Sequence, residues 1–204
     1  MASGKRTIWR VAHGRELDVT EHGALMAIIN VTPDSFSDGG LHDNTEAAVA
    51  HALGCVEAGA DILDIGGEST RPGAAPVSVD EEMARVLPVI RALSDRTDAL
   101  LSIDTYRATT AKAAIEAGAH IINDVHGLQR EPEIAAVAAR FGAGLCIMHT
   151  GRWREKLADP IKDQRFFFGQ SLAIAKAAGV ASEAIMLDPG FGFAKETVEE
   201  NMEL

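Results

Sequence analysis

Short apolar runs alternate along this chain with longer stretches in which apolar positions recur at the helical period. Leu25-Met26-Ala27-Ile28-Ile29, Leu100-Leu101-Ser102-Ile103 and Ala184-Ile185-Met186-Leu187 are runs of strand length. Their near-continuous apolar character marks strands covered on both faces. Six strands are read, ending near Asn30, Gly66, Asp104, Asp124, His149 and Asp188. Helical patterns fill the intervals at 44–58, 79–93, 107–117, 131–141 and 166–178, with a further start near Lys195. Asn44 suits the N-cap of the first helix, although Ala47 stands where a capping-box acid would. Gly59, Gly118 and Gly179 each follow a helical stretch, where a left-handed C-cap ends the helix before the next strand begins. Ahead of this repeat, residues 7–20 hold a His13-Gly14 turn between two extended runs, which predicts a β-hairpin. The division expected is an N-terminal segment, 1–24, and a barrel domain, 25–204.

Strands alternating with helices imply a parallel sheet with right-handed crossovers. Polar residues stand at the end of nearly every strand, as they do when all strands ring one mouth. The pattern therefore predicts an α/β fold of the (β/α)8 TIM-barrel type. A doubly wound sheet would gather them at a switch point and offer a GxGxxG turn, which Gly54, Gly59, Gly66 and Gly67 do not form. About six βα units are visible, whereas such a barrel has eight over roughly 250 residues. The run Asn201-Met202-Glu203-Leu204 falls in mid-helix, so the barrel is expected to be incomplete at this end.

Composition narrows the choice of partner. With 47% apolar and 24% charged residues, the 204-residue chain reads as a globular domain with a sizeable core. The net charge is −11 and no basic run tracks a nucleic-acid backbone, so nucleic acid is not expected as a partner. No apolar stretch of membrane length and no signal-type h-region is present, so no membrane is expected and the setting is read as cytoplasmic. An anionic substrate needs a local pocket of cationic or N–H groups set against the global charge. Cys55 falls in a helical pattern and Cys146 in an apolar strand, so both read as core residues.

The chemistry gathers at the strand ends. Asn30 opens a long polar loop, Asn30-Val31-Thr32-Pro33-Asp34-Ser35-Phe36-Ser37-Asp38-Gly39-Gly40. Pro33 gives that loop a defined exit direction, and Gly39-Gly40 allows a turn or a close approach to a ligand. Gly66-Gly67-Glu68-Ser69-Thr70-Arg71-Pro72-Gly73 follows the second strand, and Arg71 offers a fork for phosphate or carboxylate. Asp64 is either an inward pocket group or an acceptor for loop N–H groups. Asp104, Asn123, Asp124 and Asp188 end further strands. One strand-end carboxylate is commonly an N-cap, but several around one mouth suit a flat heterocycle with amino and N–H donors, such as a pterin or guanine-like edge. Met148 reads as a soft pocket wall. His149 has no second His or Cys at ligand spacing and is not read as a metal ligand. Walker A, G-x-S-x-G and H-E-x-x-H motifs are absent.

The loop 30–40 and the stretch Asp64-Ile65-Gly66-Gly67-Glu68-Ser69-Thr70-Arg71-Pro72-Gly73 resemble the two signatures of the dihydropteroate synthase family. Ser102-Ile103-Asp104-Thr105, Ile122-Asn123-Asp124-Val125 and Asp188-Pro189-Gly190-Phe191-Gly192-Phe193 follow in the family's order, so the resemblance spans residues 7–204. It implies a transferase of folate biosynthesis, which joins 6-hydroxymethyl-7,8-dihydropterin diphosphate to 4-aminobenzoate and releases pyrophosphate. Carried over by motif, Asp104, Asn123 and Asp188 hold the pterin edge, with Asp104 and Asp188 as the catalytic carboxylates and Met148 and Phe193 as walls. Asn30 binds the Mg²⁺ that carries the diphosphate. Thr70, Arg71 and Pro72 close over the diphosphate and shape the aminobenzoate site. The family's chemistry is dissociative: the arylamine traps a pterin methylene cation that surrounding carboxylates stabilise. Sulfonamides are the family's inhibitors, and a homodimer is expected.

The family's Ser-Arg-Lys motif on the seventh strand and Arg-x-His motif on the eighth have no counterpart in these residues. The expected dimer interface also uses the last helices. The rival expectations are a pterin-dependent methyltransferase of the same fold and a non-catalytic pterin-binding fragment. The two long loops argue against the methyltransferase.

Overall fold

The computed structural model describes residues 6–32, 41–69, 75–193 and 197–202. The chain opens with an antiparallel pair, β1 (Ile8–Arg10) and β2 (Glu16–Asp18), joined through a 3-10 turn at Ala12–Gly14. His13 takes the left-handed φ of 60° that this tight reversal needs. The hairpin read from the His13-Gly14 turn is therefore present.

A six-stranded parallel sheet follows, in strict sequence order: β3 (Met26–Asn30), β4 (Ile62–Gly66), β5 (Leu100–Asp104), β6 (Ile121–Asp124), β7 (Gly144–Met148) and β8 (Ile185–Asp188). Between them run α1 (Leu41–Glu57), α2 (Val79–Ser94), α3 (Ala108–Glu116), α4 (Glu133–Phe141) and α5 (Pro160–Ala177), and α6 (Val198–Met202) comes last. Sequential neighbours joined by crossover helices give part of a TIM-type barrel. β3 and β8 form the two edges. Ile28 (67% exposed) and Leu187 (41% exposed) lie open there, a surface prone to pairing with other chains.

Two apolar layers hold the sheet. Outward residues of the strands, among them Ile29, Leu63, Ile65, Leu101, Ile103, Ile122 and Ile147, pack on Val86, Ile90, Leu93, Ile115 and Ile134 of the helices. Inward residues at the bottom, Ile62, Leu100, Ile121 and Cys146, pack on Trp9 and Val11 of the hairpin. The Trp9 indole N–H donates to the carbonyl of Ala184 at 2.8 Å. The hairpin thus plugs the N-terminal end of the sheet and leaves the C-terminal end as the open mouth.

Gly59, Gly118 and Gly179 have φ values of 105°, 115° and 85°, in keeping with their reading as helix-ending residues. Two helix starts differ from expectation by three residues or more. α1 begins at Leu41, so Asn44 lies one turn inside it and is not the cap. Capping preference alone favours Asn44, and no acid stands at the third position to support it. α5 begins at Pro160, six residues before the expected 166, and the Asp159 side chain caps it by accepting from the Lys162 N–H at 3.0 Å. Its first turns hold a buried acid, Asp163, which breaks the apolar pattern. Lys195 lies outside the described residues.

Candidate active site

The strand register assembles the site. Asn30 pairs with Gly66, Gly66 with Asp104, Asp104 with Asn123, and Asn123 with Cys146, so these residues form one row across the mouth. Side chains alternate along a strand, and every member of such a row points the same way. A Cβ placed on Gly66 would lie 3.5 Å from Asp104 Oδ2 and 3.8 Å from Asn30 Oδ1, so both oxygens flank a bare stretch of backbone.

Asp64, one pleat deeper, resolves into an inward pocket group. The Ser102 hydroxyl donates to its Oδ1 at 2.6 Å and the Asn123 amide to its Oδ2 at 2.9 Å. This fixes the Asn123 rotamer and leaves Asn123 Oδ1 buried without a partner among the described residues. An unpaired buried acceptor costs free energy unless a ligand supplies a donor. Met148 pairs with Asp188 in the register, and Asp188 Oδ1 accepts from the Gly190 N–H at 2.8 Å. The loop then returns Phe193 to the rim, where the Arg152 guanidinium covers its ring at 4.4 Å. Asn30, Asp104, Asn123, Met148, Asp188 and Phe193 thus all belong to the same mouth. Thr70, Arg71 and Pro72 lie outside the described residues, as does 33–40 of the first loop.

The electrostatics are those of a crowded acceptor site. Burial, then the charges of Asp64, Asp124, Glu82 and Glu68, push the Asp104 carboxyl well above its usual range. Burial also raises Asp64, against the hydrogen bonds from Ser102 and Asn123. Burial and the neighbouring Asp188, Asp64 and Asp104 push the Cys146 thiol far up, which makes it an inert wall. Such a site favours a ligand that brings N–H donors or positive charge.

Two buried ionic clusters support the mouth, and periodicity gave no reason to single out their members. Glu82 of α2, 1% exposed, accepts from Thr105 Oγ1 (2.7 Å), Thr110 Oγ1 (2.7 Å) and the Arg107 guanidinium (2.8 Å). Arg107 also pairs at 2.8 Å with Glu68 in the loop after β4, and Tyr106 donates to Glu68 at 3.0 Å. In the second cluster Asp163 receives both guanidinium nitrogens of Arg154 and the Leu157 N–H, and lies 2.9 Å from His149 Nε2. Burial raises the Asp163 carboxyl, but these partners outweigh it and hold it well below the usual range. The signal for this cluster was the Asp159-Pro160 cap, which brings Asp163 onto a helix facing His149.

The residues suit Mg²⁺ to a limited degree. Among the described residues, no group of three or more His, Cys, Asp or Glu side chains is placed to hold a metal. Asn30 Oδ1 and Asp104 Oδ2 are hard oxygen donors on either side of Gly66, and Mg²⁺ commonly relies on one or two such donors with water and substrate phosphate.

A family profile described as pterin binding enzyme matches residues 26–204. The dihydropteroate synthase of Clostridium beijerinckii is 44% identical over 192 residues, covering 93% of this chain and 70% of the relative. The chain belongs to the dihydropteroate synthase family. The Escherichia coli K12 synthase is 45% identical over 190 residues, covering 90% of the chain and 67% of its own length. A Xanthomonas albilineans dihydropteroate synthase with 4-aminobenzoic acid superposes with a TM-score of 0.88 at 43% identity, covering 97% of this chain and 72% of that one. A Burkholderia cenocepacia synthase complexed with 7,8-dihydropteroate gives 0.83 at 38% identity, covering 96% and 68%. Both likenesses are to synthases in the barrel fold expected from the strand pattern.

Proposed function

We propose that this member of the family condenses 6-hydroxymethyl-7,8-dihydropterin diphosphate with 4-aminobenzoate to give 7,8-dihydropteroate and pyrophosphate. The observation that carries the reading is the row Asp104–Asn123 braced by Asp64, with its buried, unpaired Asn123 Oδ1. A pterin edge presents the amino and ring N–H donors that these acceptors lack. Asn123 Oδ1 takes one donor, and Asp188 and Asp104 take others. Met148 and Cys146 line the apolar floor, and Phe193 closes one side.

The same carboxylates serve the chemical step. As the pterin C–O bond to diphosphate lengthens, positive charge develops on the methylene and ring. A cluster in which burial, and at Asp104 also the neighbouring carboxylates, disfavours the charged form is relieved by that positive charge, so it stabilises the transition state more than the ground state. Pyrophosphate departs with the electron pair of that bond, the arylamine nitrogen forms the C–N bond to the methylene cation, and the proton it loses passes to the released pyrophosphate or to water. Asn30, with Asp104 beside it, would hold Mg²⁺, which neutralises the leaving diphosphate. Thr70, Arg71 and Pro72 are proposed as the aminobenzoate and diphosphate contacts. A cytoplasmic setting, a homodimer and sulfonamide inhibition belong to the same proposal.

The test is dihydropteroate formation from both substrates with Mg²⁺. It uses the chain alone and the chain joined to the part of the Clostridium beijerinckii relative that it does not span. Turnover by the joined protein is expected, with Asp104→Asn or Asp188→Asn reducing the rate by about 10²-fold or more, the scale of losing one preorganised charge-stabilising group. Unchanged rates in both variants would overturn the assignment.

A further inference from the structure

The rim of the mouth carries a feature that the pterin reading does not use. Beside the loops after β6 and β7, rings and guanidinium groups form a ladder. The Arg130 guanidinium lies 3.8 Å from the Tyr106 ring centroid, and Tyr106 meets His126 edge-on at 5.0 Å. His126 in turn stacks on Trp153 at 4.5 Å with 22° between the ring planes. Next to this ladder lies a cleft of about 520 Å³, lined by Gln129, Arg130, Thr150, Arg152 and Trp153 with Phe167 as its apolar wall. That volume falls in the range of small-molecule sites.

The charges in the cleft run against those of the chain. The net charge is −11, yet Arg130, Arg152 and Arg154 converge here. Arg154 is neutralised by Asp163. Arg130 is exposed, and among the described residues its polar contact is the His126 ring nitrogen at 3.4 Å, with no carboxylate paired to it. Burial, followed by the Arg130 charge, lowers His126 to about 4, so the imidazole is neutral at pH 7 and can accept from Arg130. Trp153 is 73% exposed and is held at a φ of 61°, a conformation disfavoured for a bulky residue. One face of its indole stacks on His126, which leaves the other for a ligand.

We propose that this cleft is a second binding site, for a planar aromatic ring that carries an oxyanion. The ring stacks on the open face of Trp153, and the oxyanion pairs with Arg130 and Arg152, which suit planar anions. Arg152 also covers Phe193, so an occupant sits one guanidinium away from a wall of the pterin site. Two sources share this chemistry: an aryl carboxylate and a nucleoside monophosphate.

Equilibrium dialysis of the chain against 4-aminobenzoate, AMP and inorganic phosphate tests the proposal. Arg130→Ala and Trp153→Ala, both at exposed positions, are the deciding variants, and Asn123→Ala marks the pterin site. At least one aromatic anion is expected to bind, at least tenfold more weakly to either rim variant and unchanged by Asn123→Ala. Preference for AMP identifies a phosphate source, and preference for 4-aminobenzoate a carboxylate. The proposal is overturned if neither aromatic anion binds, if binding survives both rim variants, or if Asn123→Ala abolishes it. Phosphate binding as tightly as AMP would overturn the role given to Trp153.

Discussion

Replacing Glu82 by Ala should unfold the scaffold beneath the mouth more readily than any other single carboxylate removal on α2. Glu82 is 1% exposed and accepts three hydrogen bonds, two from hydroxyls and one from the guanidinium of the largely buried Arg107. Hydrogen bonds to a charged group contribute about 1.5–3 kcal/mol each, but they are not additive here because the three donors share one carboxylate. Breaking a buried pair by removing one partner costs about 3–5 kcal/mol, and this is the expected loss. Glu68 still pairs with Arg107 and keeps the cost from rising higher. At about 2–4 °C per kcal/mol for a chain of this size, the melting temperature should fall by roughly 6–20 °C. Urea unfolding followed by far-UV circular dichroism measures the loss. The double variant Glu82→Leu/Arg107→Met should recover much of it, since apolar replacement of a whole buried pair is often neutral. A loss below about 1 kcal/mol for Glu82→Ala, the scale of an exposed ion pair, would mean that the cluster does not hold the scaffold. Glu82 also contributes to raising the Asp104 carboxyl, so its removal should lower the Asp104 pKa, readable by carboxyl NMR.

Asp124 provides a pH test. Burial raises its carboxyl from 3.8 to about 6, so the folded protein keeps a proton that the unfolded chain releases. Its contribution is therefore full below pH ~4 and lost as pH rises through ~6, an effect of about 3 kcal/mol at 1.36 kcal/mol per unit. Comparing urea midpoints at pH 4 and pH 7, Asp124→Asn should lose less stability with rising pH than the parent; identical slopes would reject the assignment. Gly190→Ala should cost more than about 2 kcal/mol and abolish pterin binding, because its Cβ would fall 2.1 Å from the His149 carbonyl oxygen at a φ of 65°. Wild-type pterin affinity in that variant would show that the loop after β8 shifts freely. Trp9→Ala should cost about 3–5 kcal/mol by removing the hairpin's plug, and a smaller loss in thermal unfolding would mean that the sheet holds its lower end without it.

The four inner strands were legible because covered parallel strands are written as uninterrupted apolar runs, β3 and β8 carry the same kind of run although Ile28 and Leu187 lie open at the edges, and five of the six described strand ends fall on the residue read. The exception is β7, which ends at Met148, one residue before His149. The glycine C-caps were legible for a similarly local reason. The start of α5 was not, since its capping signal, Asp159-Pro160, precedes turns made polar by Asp163. Periodicity averages over a helix face and overlooks one buried acid that serves a partner elsewhere in the sequence. The same limit hid Glu82, whose partners Thr105, Arg107 and Thr110 come from the β5–α3 region. Asp64 could be read two ways from sequence, because only the register shows Ser102 and Asn123 beside it. The tandem of Tyr106, His126 and Trp153 is likewise a product of three loops.

Direct binding tests whether the Asp104–Asn123 row, braced by Asp64, is a pterin edge site. Titrating a pterin into the chain and into its Asn123→Ala and Asp64→Asn variants, by isothermal titration calorimetry at pH 7, isolates the row from catalysis. One site is expected in the parent. Affinity should fall at least tenfold in Asn123→Ala, which removes the acceptor itself, and by less in Asp64→Asn, which only loosens its rotamer. Equal affinity in all three proteins would mean that the pterin edge is held elsewhere.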